Sequence, residues 1–401
     1  MINPMPVVLG ELRRSRVGVG AAISLVAVAV ALGVAVTAQE RALRQGSARA
    51  ADPFDLLVGR AGSPTQLVLA TVYLRPDAID LVSGETLVRL QAEPGAARVV
   101  PLVFGDSYRD QPVVGATADF VTNDGRRPLA QGRVFAAERE VVVGASVPLS
   151  VGESFETNHG RVEDEMSAHA GFTYRVVGRM PRLGTPWDRA VLAPVEALWR
   201  VHARPLGHPR GDERIGPPWE GSDLAGASAI VVKPRSVADA YRLRARYRAG
   251  ETMAVFPGEV LVELYATLGD ARKLFSVFAL VTQALVIAAV LLAVFAVEAQ
   301  RRRQLGILRA LGASRAYVFA VVWLHVMVLV GSGALLGLLL GWLGALGISR
   351  GLAGRTGLAL RVGIGQQELA LVAALMLAGA VLAALPAWRC YRRSALTLLR
   401  S

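Results

Sequence analysis

Four long runs without a single charged side chain constrain this chain more than any other feature of its sequence. These runs are Val17–Ala38, Leu274–Val297, Ala316–Ser349 and Leu369–Trp388. About 20 apolar residues in a helix cross a hydrocarbon core ~30 Å thick, so each run is long enough to span a membrane. The sequence therefore predicts four transmembrane helices, at residues 17–38, 274–297, 316–348 and 369–388.

The first run has arginines directly in front of it, as a secretory signal peptide does. The apolar part of a signal peptide is only about 7–15 residues long, however, and Val17–Ala38 is longer. We therefore expect this run to be an uncleaved membrane anchor.

The net charge of +12 would suggest a nucleic-acid partner if it were spread over a folded surface. Residues 39–273, however, contain as many acidic as basic side chains, and the excess of arginine flanks the apolar runs. Basic residues stay on the cytoplasmic side of a membrane. This distribution predicts cytoplasmic segments at 1–16, 298–315 and 389–401, a large extracytoplasmic domain at 39–273 and a short external loop at 349–368. A nucleic-acid partner is not expected.

Residues 39–273 have the pattern of an α+β domain. Short β-rich runs bounded by turn residues lie at Val99–Phe104, Glu140–Val143, Tyr174–Val177, Ala190–Ala193 and Ala229–Val232. Ser236 is a suitable N-cap for a helix at Val237–Arg248. The single cysteine, Cys390, lies outside this region, so the domain must fold through an apolar core rather than through disulfides.

The end of this domain carries an amphipathic helix pattern, in which Leu261, Leu264, Leu268 and Phe275 recur at helical steps. A polar, helix-compatible stretch also follows the first apolar run. We predict that the two form a stalk; the alternative is a helix packed on the domain surface. The predicted fold is an integral membrane α-helical protein with four transmembrane helices, whose α+β domain is inserted between helices 1 and 2 on a helical stalk.

Three glycines in the third run, Gly333, Gly337 and Gly341, are four residues apart. Glycines at this spacing line one helix face and let two membrane helices approach closely. We predict tight helix packing here, within the chain or between two copies. The alternative is that glycine is simply frequent in membrane helices.

The cytoplasmic loop has a short amphipathic helix pattern. Leu305, Leu308 and Leu311 step by three, and basic residues such as Arg309 accompany them. Gly312 is placed to end this helix, and Ser314 can cap the next one. Such a helix binds lipid headgroups or docks in a groove of a soluble partner.

Sequence motifs for catalysis are missing. The chain contains no Gly-x-Ser-x-Gly elbow, no His-Glu-x-x-His and no cysteine pair. Its only lysines, Lys233 and Lys273, follow no glycine-rich phosphate loop. We therefore expect a non-enzymatic chain without a cofactor of its own. His159 and His169, with acidic residues between them, are weak candidates for a metal site, because their spacing matches no standard motif.

The turn at residues 184–190 places Trp187 beside Asp188 and Arg189 at the start of a predicted strand. This arrangement is typical of a structural corner with a buried tryptophan. The alternative is a contact point for an external partner.

The loop sequence Glu298-Ala-Gln-Arg-Arg-Arg-Gln-Leu-Gly-Ile-Leu-Arg-Ala-Leu-Gly-Ala-Ser314 resembles the signature of the FtsX-like permeases, the MacB- and LolC-type membrane subunits of ABC transporters. The resemblance extends over the chain, including Glu140–Gly144, Tyr174–Gly178 and the ending Leu385–Arg389. It implies that Leu305, Leu308, Arg309 and Leu311 form a coupling helix on a separate ATPase, because this chain lacks the fused ATPase of MacB.

The resemblance also implies a setting for the protein. It predicts an inner-membrane, multi-pass subunit of a type VII mechanotransmission transporter, in which two copies of a soluble ATPase bind ATP and Mg. The permease would pair with itself or with a paralogue, and it would contact membrane lipid and a periplasmic adaptor or lipoprotein. The cargo class stays open among lipoproteins, peptides and small molecules. The rival functions are an FtsX-like scaffold that acts on a cell-wall hydrolase and a transmembrane receptor.

Overall fold

The computed structural model describes residues 3–77, 79–159, 168–209, 211–220, 223–267 and 312–392, together with the single positions 277, 281, 284, 288 and 307. The chain divides into two compact units. A helical unit comprises Met1–Arg44, Gly269–Gly351 and Leu360–Ser401, and a sheet unit comprises Gln45–Leu268 and Leu352–Ala359.

Among the described residues, three helices are far longer than the others. The helices are α1 (Met5–Arg14), α2 (Arg16–Ala51), α3 (Pro64–Tyr73), α4 (Gly84–Gln91), α5 (Ala118–Thr122), α6 (Val195–Val201), α7 (Val237–Tyr247), α8 (described over 257–267), α9 (Arg315–Thr356) and α10 (Gln366–Arg392). A short 3₁₀ helix lies at Pro186–Arg189.

Three of the described helices are long and apolar enough to cross a membrane, at Arg16–Ala51, Arg315–Gly354 and Gln366–Ala384. The first two contain the first and third predicted spans, and the last covers the fourth predicted span, 369–388, as far as Ala384. The second predicted span, 274–297, lies almost entirely outside the described residues. Helix α2 continues well past residue 38, as the polar, helix-compatible stretch after the first run indicated.

In the described part of the sheet unit, ten strands form one mixed sheet. They are β1 (Leu56–Arg60), β2 (Ala96–Tyr108), β3 (Gln111–Ala116), β4 (Gln131–Gly132), β5 (Glu140–Val143), β6 (Ser154–His159), β7 (Ala168–Arg179), β8 (Val191–Pro194), β9 (Ala229–Pro234) and β10 (Thr252–Val255). Their order is β10-β1-β9-β2-β3-β8-β5-β7-β4, and β6 pairs with β2 and β7. Strands β3 and β8 pair in parallel, as do β5 and β7.

All five predicted strands are present. Strand β5 has the predicted bounds, and β2 and β7 are much longer than the predicted runs. The register of β2 on β3 shifts between Val103 and Asp106, where Gly105 has a φ of 143°. Such a bulge bends a strand and re-aims its side chains.

Local capping follows the sequence. The Ser236 hydroxyl accepts a hydrogen bond from the Asp239 N–H at 3.1 Å and begins α7. In the same way, Ser314 accepts from the Tyr317 N–H at 3.2 Å and begins α9. Gly312 has a φ of 98°, a backbone conformation that favours glycine.

The core of the sheet unit consists of large side chains. Trp199 and Trp219 are each 2% exposed and meet edge to face at 5.9 Å. Leu198 and Tyr174 are fully buried in the same cluster. A core of this kind, without a disulfide, is what the sequence predicted for the domain.

Candidate functional site

Gly333, Gly337 and Gly341 form a line along one face of α9, and this glycine line lies against α2 within the helical unit. A Cβ built on Gly337 would lie 2.6 Å from both the Ala27 carbonyl oxygen and the Val30 Cβ. Gly333 and Gly341 meet the same obstacle one turn before and one turn after, at Val26 and Val34. These distances leave no room for a side chain, so the two helices touch through their backbones.

Helix α10 packs on the same bundle. The Trp323 indole N–H donates to the Ala380 carbonyl at 3.0 Å, and a Cβ on Gly379 would lie 3.2 Å from Val330. Leu375 and Ala383 are buried with the valines of α2. Three long helices thus share one apolar core.

A polar cluster joins the same helices at another level. The Arg41 guanidinium in α2 donates to the Glu368 carboxylate at 2.6 Å, and the Gly365 N–H donates to the same oxygen at 2.8 Å. Arg41 also donates to the Gly363 carbonyl. The Glu368 side chain is fully buried. A buried carboxylate is tolerated only when it is paired, so this contact fixes α2 relative to the beginning of α10.

A second polar contact ties α2 to α9. The Ser349 hydroxyl lies 3.0 Å from the Gln39 side-chain oxygen. The sequence alone predicted neither the contact of Ser349 with Gln39 nor the pairing of Arg41 with Glu368. The available signal was that opposite charges stand just after the first apolar run and just before the last one.

In the sheet unit, the turn at 184–190 is a packed corner. Trp187 is 4% exposed and contacts the rings of Phe120 and Phe54 at 5.1 and 5.8 Å. The Asp188 carboxylate is buried and accepts from the N–H groups of Leu183 and Gly184 at 2.7 and 2.8 Å. Burial raises the pKa of Asp188, although these two hydrogen bonds oppose the shift. The buried positions of Trp187 and Asp188 fit the structural corner that the sequence left open.

The corner is covered by another segment of this chain, residues 357–359. The Ala359 N–H donates to the Gly184 carbonyl at 2.9 Å, and Arg49 donates to the Ala359 carbonyl at 3.2 Å. Gly357 has a φ of 73°, and a Cβ there would lie 3.0 Å from Pro186. The sequence assigned this segment to a short external loop, whereas the structure groups it with the sheet unit.

The Pro- and Gly-rich loop after α6 is held by buried carboxylates. Glu196 accepts from the Gly216 N–H at 2.7 Å and from the Trp219 indole at 2.6 Å. His202 lies 3.2 Å from the buried Asp106 carboxylate. The hydrogen bond to Asp106 raises the pKa of His202, and partial burial of the imidazole opposes this rise.

Two groups of predicted site residues cannot be placed. Leu305, Leu308, Arg309 and Leu311 of the predicted coupling helix lie outside the described residues. So do residues 160–167 and the side chains of His159 and His169, the weak metal candidates. Within the described part of the chain, no group of three or more His, Cys, Asp or Glu side chains could hold a metal ion.

Comparison with known proteins identifies one part of the chain by family. The model of the FtsX-like permease C-terminal family matches residues 276–395. No curated protein matches the chain in sequence.

Two solved structures are similar to parts of the chain. The periplasmic region of MacB from Actinobacillus actinomycetemcomitans is 12% identical, with 53% of this chain and 95% of that one covered and a TM-score of 0.32. The extracellular domain of the noncanonic ABC-type transporter YknZ from Gram-positive bacteria is 13% identical, with 50% and 98% covered and a TM-score of 0.29. The family match supports the resemblance predicted from the loop sequence: residues 276–395 are similar to the C-terminal domain of the FtsX-like permeases.

Proposed function

We propose that this chain is the membrane permease subunit of a type VII, mechanotransmission-type ABC transporter. A separate ATPase would drive work on a substrate outside the cytoplasmic membrane. The observation that carries this proposal is the FtsX-like permease match over residues 276–395. That interval contains the loop 298–315, in which the sequence predicts a helix that docks on a soluble partner.

The division of labour follows from the chain's own residues. The sequence contains no phosphate loop, so ATP and Mg belong to the partner ATPase, present in two copies. The permease itself is non-catalytic and works as a homodimer or with a paralogue. In this proposal the contact with the ATPase is formed by Leu305, Leu308, Arg309 and Leu311.

Transmission through the helices requires that they move as a block. The glycine line and the buried pair of Arg41 with Glu368 support this requirement, because they bind α2 to both α9 and α10. A fourth span at 274–297 then completes the bundle, and the sheet unit, inserted between spans one and two, is the extracytoplasmic domain. The termini lie in the cytoplasm, and the membrane is the inner one.

An external partner such as an adaptor or a lipoprotein would meet the sheet unit. Among the three corner residues, Trp187 and Asp188 are buried and Arg189 is half-buried, so Arg189 is the member that remains for such a contact. The partial exposure of Arg189 supports the predicted contact with an external partner at this corner.

Co-purification tests the proposal. The tagged full-length chain is isolated from native membranes in mild detergent, and the accompanying proteins are identified by mass spectrometry. We expect an ATPase with a phosphate loop, and an ATPase activity that an exported substrate stimulates. If no ATPase appears even after cross-linking, the transporter is ruled out in favour of a receptor or a scaffold.

A paired substitution tests the coupling helix. Replacing Leu308 and Leu311 together by Asp places two charges on the apolar face of the loop, and we expect at least roughly tenfold less co-purified ATPase. Gln304→Asp is the matched control, because it changes the same loop off the leucine positions. Undiminished ATPase in the double variant would contradict the assignment of these leucines.

A further inference from the structure

The sheet unit contains a cavity of about 770 Å³, which the proposed function involves only through Arg189. Its wall is formed by the end of α3, the β2–β3 hairpin, the corner and the segment after α9. The apolar part of the wall includes Tyr73, Leu74, Phe104, Pro112, Val113 and Leu358. Binding sites for small molecules usually enclose about 300–1,000 Å³ and are lined mainly by such side chains.

The ring of Tyr73 is fixed at the cavity wall. Its hydroxyl donates to the Ser47 carbonyl at 3.0 Å. Burial raises the pKa of Tyr73 to about 12, so the side chain stays uncharged. The tyrosine therefore contributes an apolar ring face in a set position, because its polar end is already occupied.

Charged side chains of both signs belong to the same wall. Arg75 and Asp77 follow Leu74, whose left-handed φ of 52° ends α3 and turns the chain. Asp110 lies in the β2–β3 hairpin, and Arg189 comes from the corner. The buried Asp106 also lines the cavity, but its carboxylate is paired with His202 at 3.2 Å. Two guanidinium groups and two exposed carboxylates remain for a ligand, which fits a ligand that carries both charges itself.

One part of the wall directly follows a candidate membrane span in the sequence. Thr356 lines the cavity and is the last residue of α9, whose candidate span ends at Gly354. Two residues of helix rise only ~3 Å. Leu358 follows directly, so the cavity draws part of its wall from residues adjacent to a membrane-spanning segment.

We propose that this cavity binds one zwitterionic amphiphile, a phospholipid or lysophospholipid with an ethanolamine headgroup. The apolar chain lies along Tyr73 and Phe104. The phosphate faces Arg75 and Arg189, and the ammonium group faces Asp77 and Asp110. That such a lipid is the cargo rests on the proposed transport function, whereas its binding to the sheet unit does not.

The binding test uses the full-length chain in a non-ionic detergent. The probe is lysophosphatidylethanolamine with a photoreactive group at the end of its acyl chain, and binding is followed by native mass spectrometry and titration. We expect one lipid per chain and cross-links to peptides that contain residues 70–77 or 104–113. Cross-links confined to the helical unit would overturn the site.

A charge substitution tests the headgroup contact. Arg75 is exposed, so Arg75→Gln should leave the fold intact and weaken binding about tenfold, as expected for the loss of a charged hydrogen bond. Arg248→Gln removes the same charge from an exposed position outside the cavity wall and should leave binding unchanged. An equal loss of lipid affinity in both variants would show that only the overall positive charge of the protein matters, and it would reject the site.

Headgroup chemistry supplies the second arm. Lysophosphatidylglycerol has the same chain and phosphate but lacks the ammonium group, and we expect it to bind at least about tenfold more weakly. Glycerophosphoethanolamine without an acyl chain should not bind detectably. If the anionic lysolipid binds equally well, the cavity does not recognise the ammonium group and the proposal of a zwitterionic ligand is rejected. If the free headgroup binds as tightly as the lipid, the acyl chain adds no affinity and its proposed contact with Tyr73 and Phe104 is rejected. Either result leaves ATPase co-purification, and hence the transporter proposal, untouched.

Discussion

In the sheet unit the core is filled by large side chains, whereas in the helical unit the closest contacts occur where a side chain is missing. Trp199 and Trp219 fill the centre of the sheet unit. Gly333, Gly337 and Gly341 bring α9 against the backbone of α2. The two units thus pack by different rules, although one chain builds both.

The difference follows from the solvent that each unit displaces. In water, burying a large apolar side chain is itself favourable, and the gain grows with the buried area. In a bilayer the lipid chains are as apolar as leucine, so helices associate through close packing and interhelical hydrogen bonds instead. Substitutions that remove volume should therefore damage the sheet unit, and substitutions that add volume should damage the helical unit.

The largest expected effect is that of Trp199→Ala. It removes a side chain that is 2% exposed and whose indole donates to the Gly226 carbonyl at 3.0 Å. We expect local opening of the sheet unit to become easier by about 3–5 kcal/mol, measured by amide hydrogen exchange on the full-length chain. The matched control, Trp388→Ala, truncates a half-exposed tryptophan of α10 and should cost less than about 1 kcal/mol. If the two Trp→Ala substitutions cost similar free energies, the difference in packing between the sheet unit and the helical unit would be contradicted.

An intermediate effect is expected for Gly337→Leu. The new side chain would start 2.6 Å from the Ala27 carbonyl, so α2 and α9 must separate, at a cost of about 1–3 kcal/mol. Thermal unfolding of the helical signal in detergent measures this loss. Gly344→Leu is the control, since a Cβ there meets no described atom within 4 Å. A stable Gly337→Leu variant would show that the backbone contact is dispensable.

The smallest expected effect concerns pH and only the sheet unit. The pKa of His202 is raised above its ordinary value of 6.5 by the hydrogen bond to Asp106, so the folded state binds a proton more tightly than the unfolded state. This contribution is complete below pH 6.5 and is lost as the pH rises through the folded-state pKa. We expect the protection factors of the amides near residue 202, which are corrected for the intrinsic rise of exchange with pH, to fall over that interval. In Asp106→Asn the pH step should disappear, and a step that persists would assign it to another group.

Local chemistry was predictable from the sequence in both units. Strand Glu140–Val143 and the caps at Ser236 and Ser314 depend on neighbouring residues, and their patterns are visible in a short window. The same is true of the glycine spacing in α9, which indicated close packing but could not say which helix lies opposite.

Contacts between distant parts of the chain could not be predicted in this way. Arg49 and Ala359 are 310 residues apart, and nothing near either one identifies the other. Strands β1 and β10 were missed for a related reason: each is short, and their pairing joins the two ends of the domain. The sequence places 357–359 in a short external loop but cannot identify its partners at the corner, because they lie far away in sequence.

The pairing of Arg41 with Glu368 also has a consequence for biosynthesis. The two residues are separated by 327 positions, so a ribosome that has inserted the first helix must still make nearly all the rest before the carboxylate emerges. Until then the guanidinium has to be accommodated by water, headgroups or the insertion machinery. Completion of the last helix therefore neutralises a charge left from the first, and a truncated product retains that charge as a mark that membrane quality control can recognise.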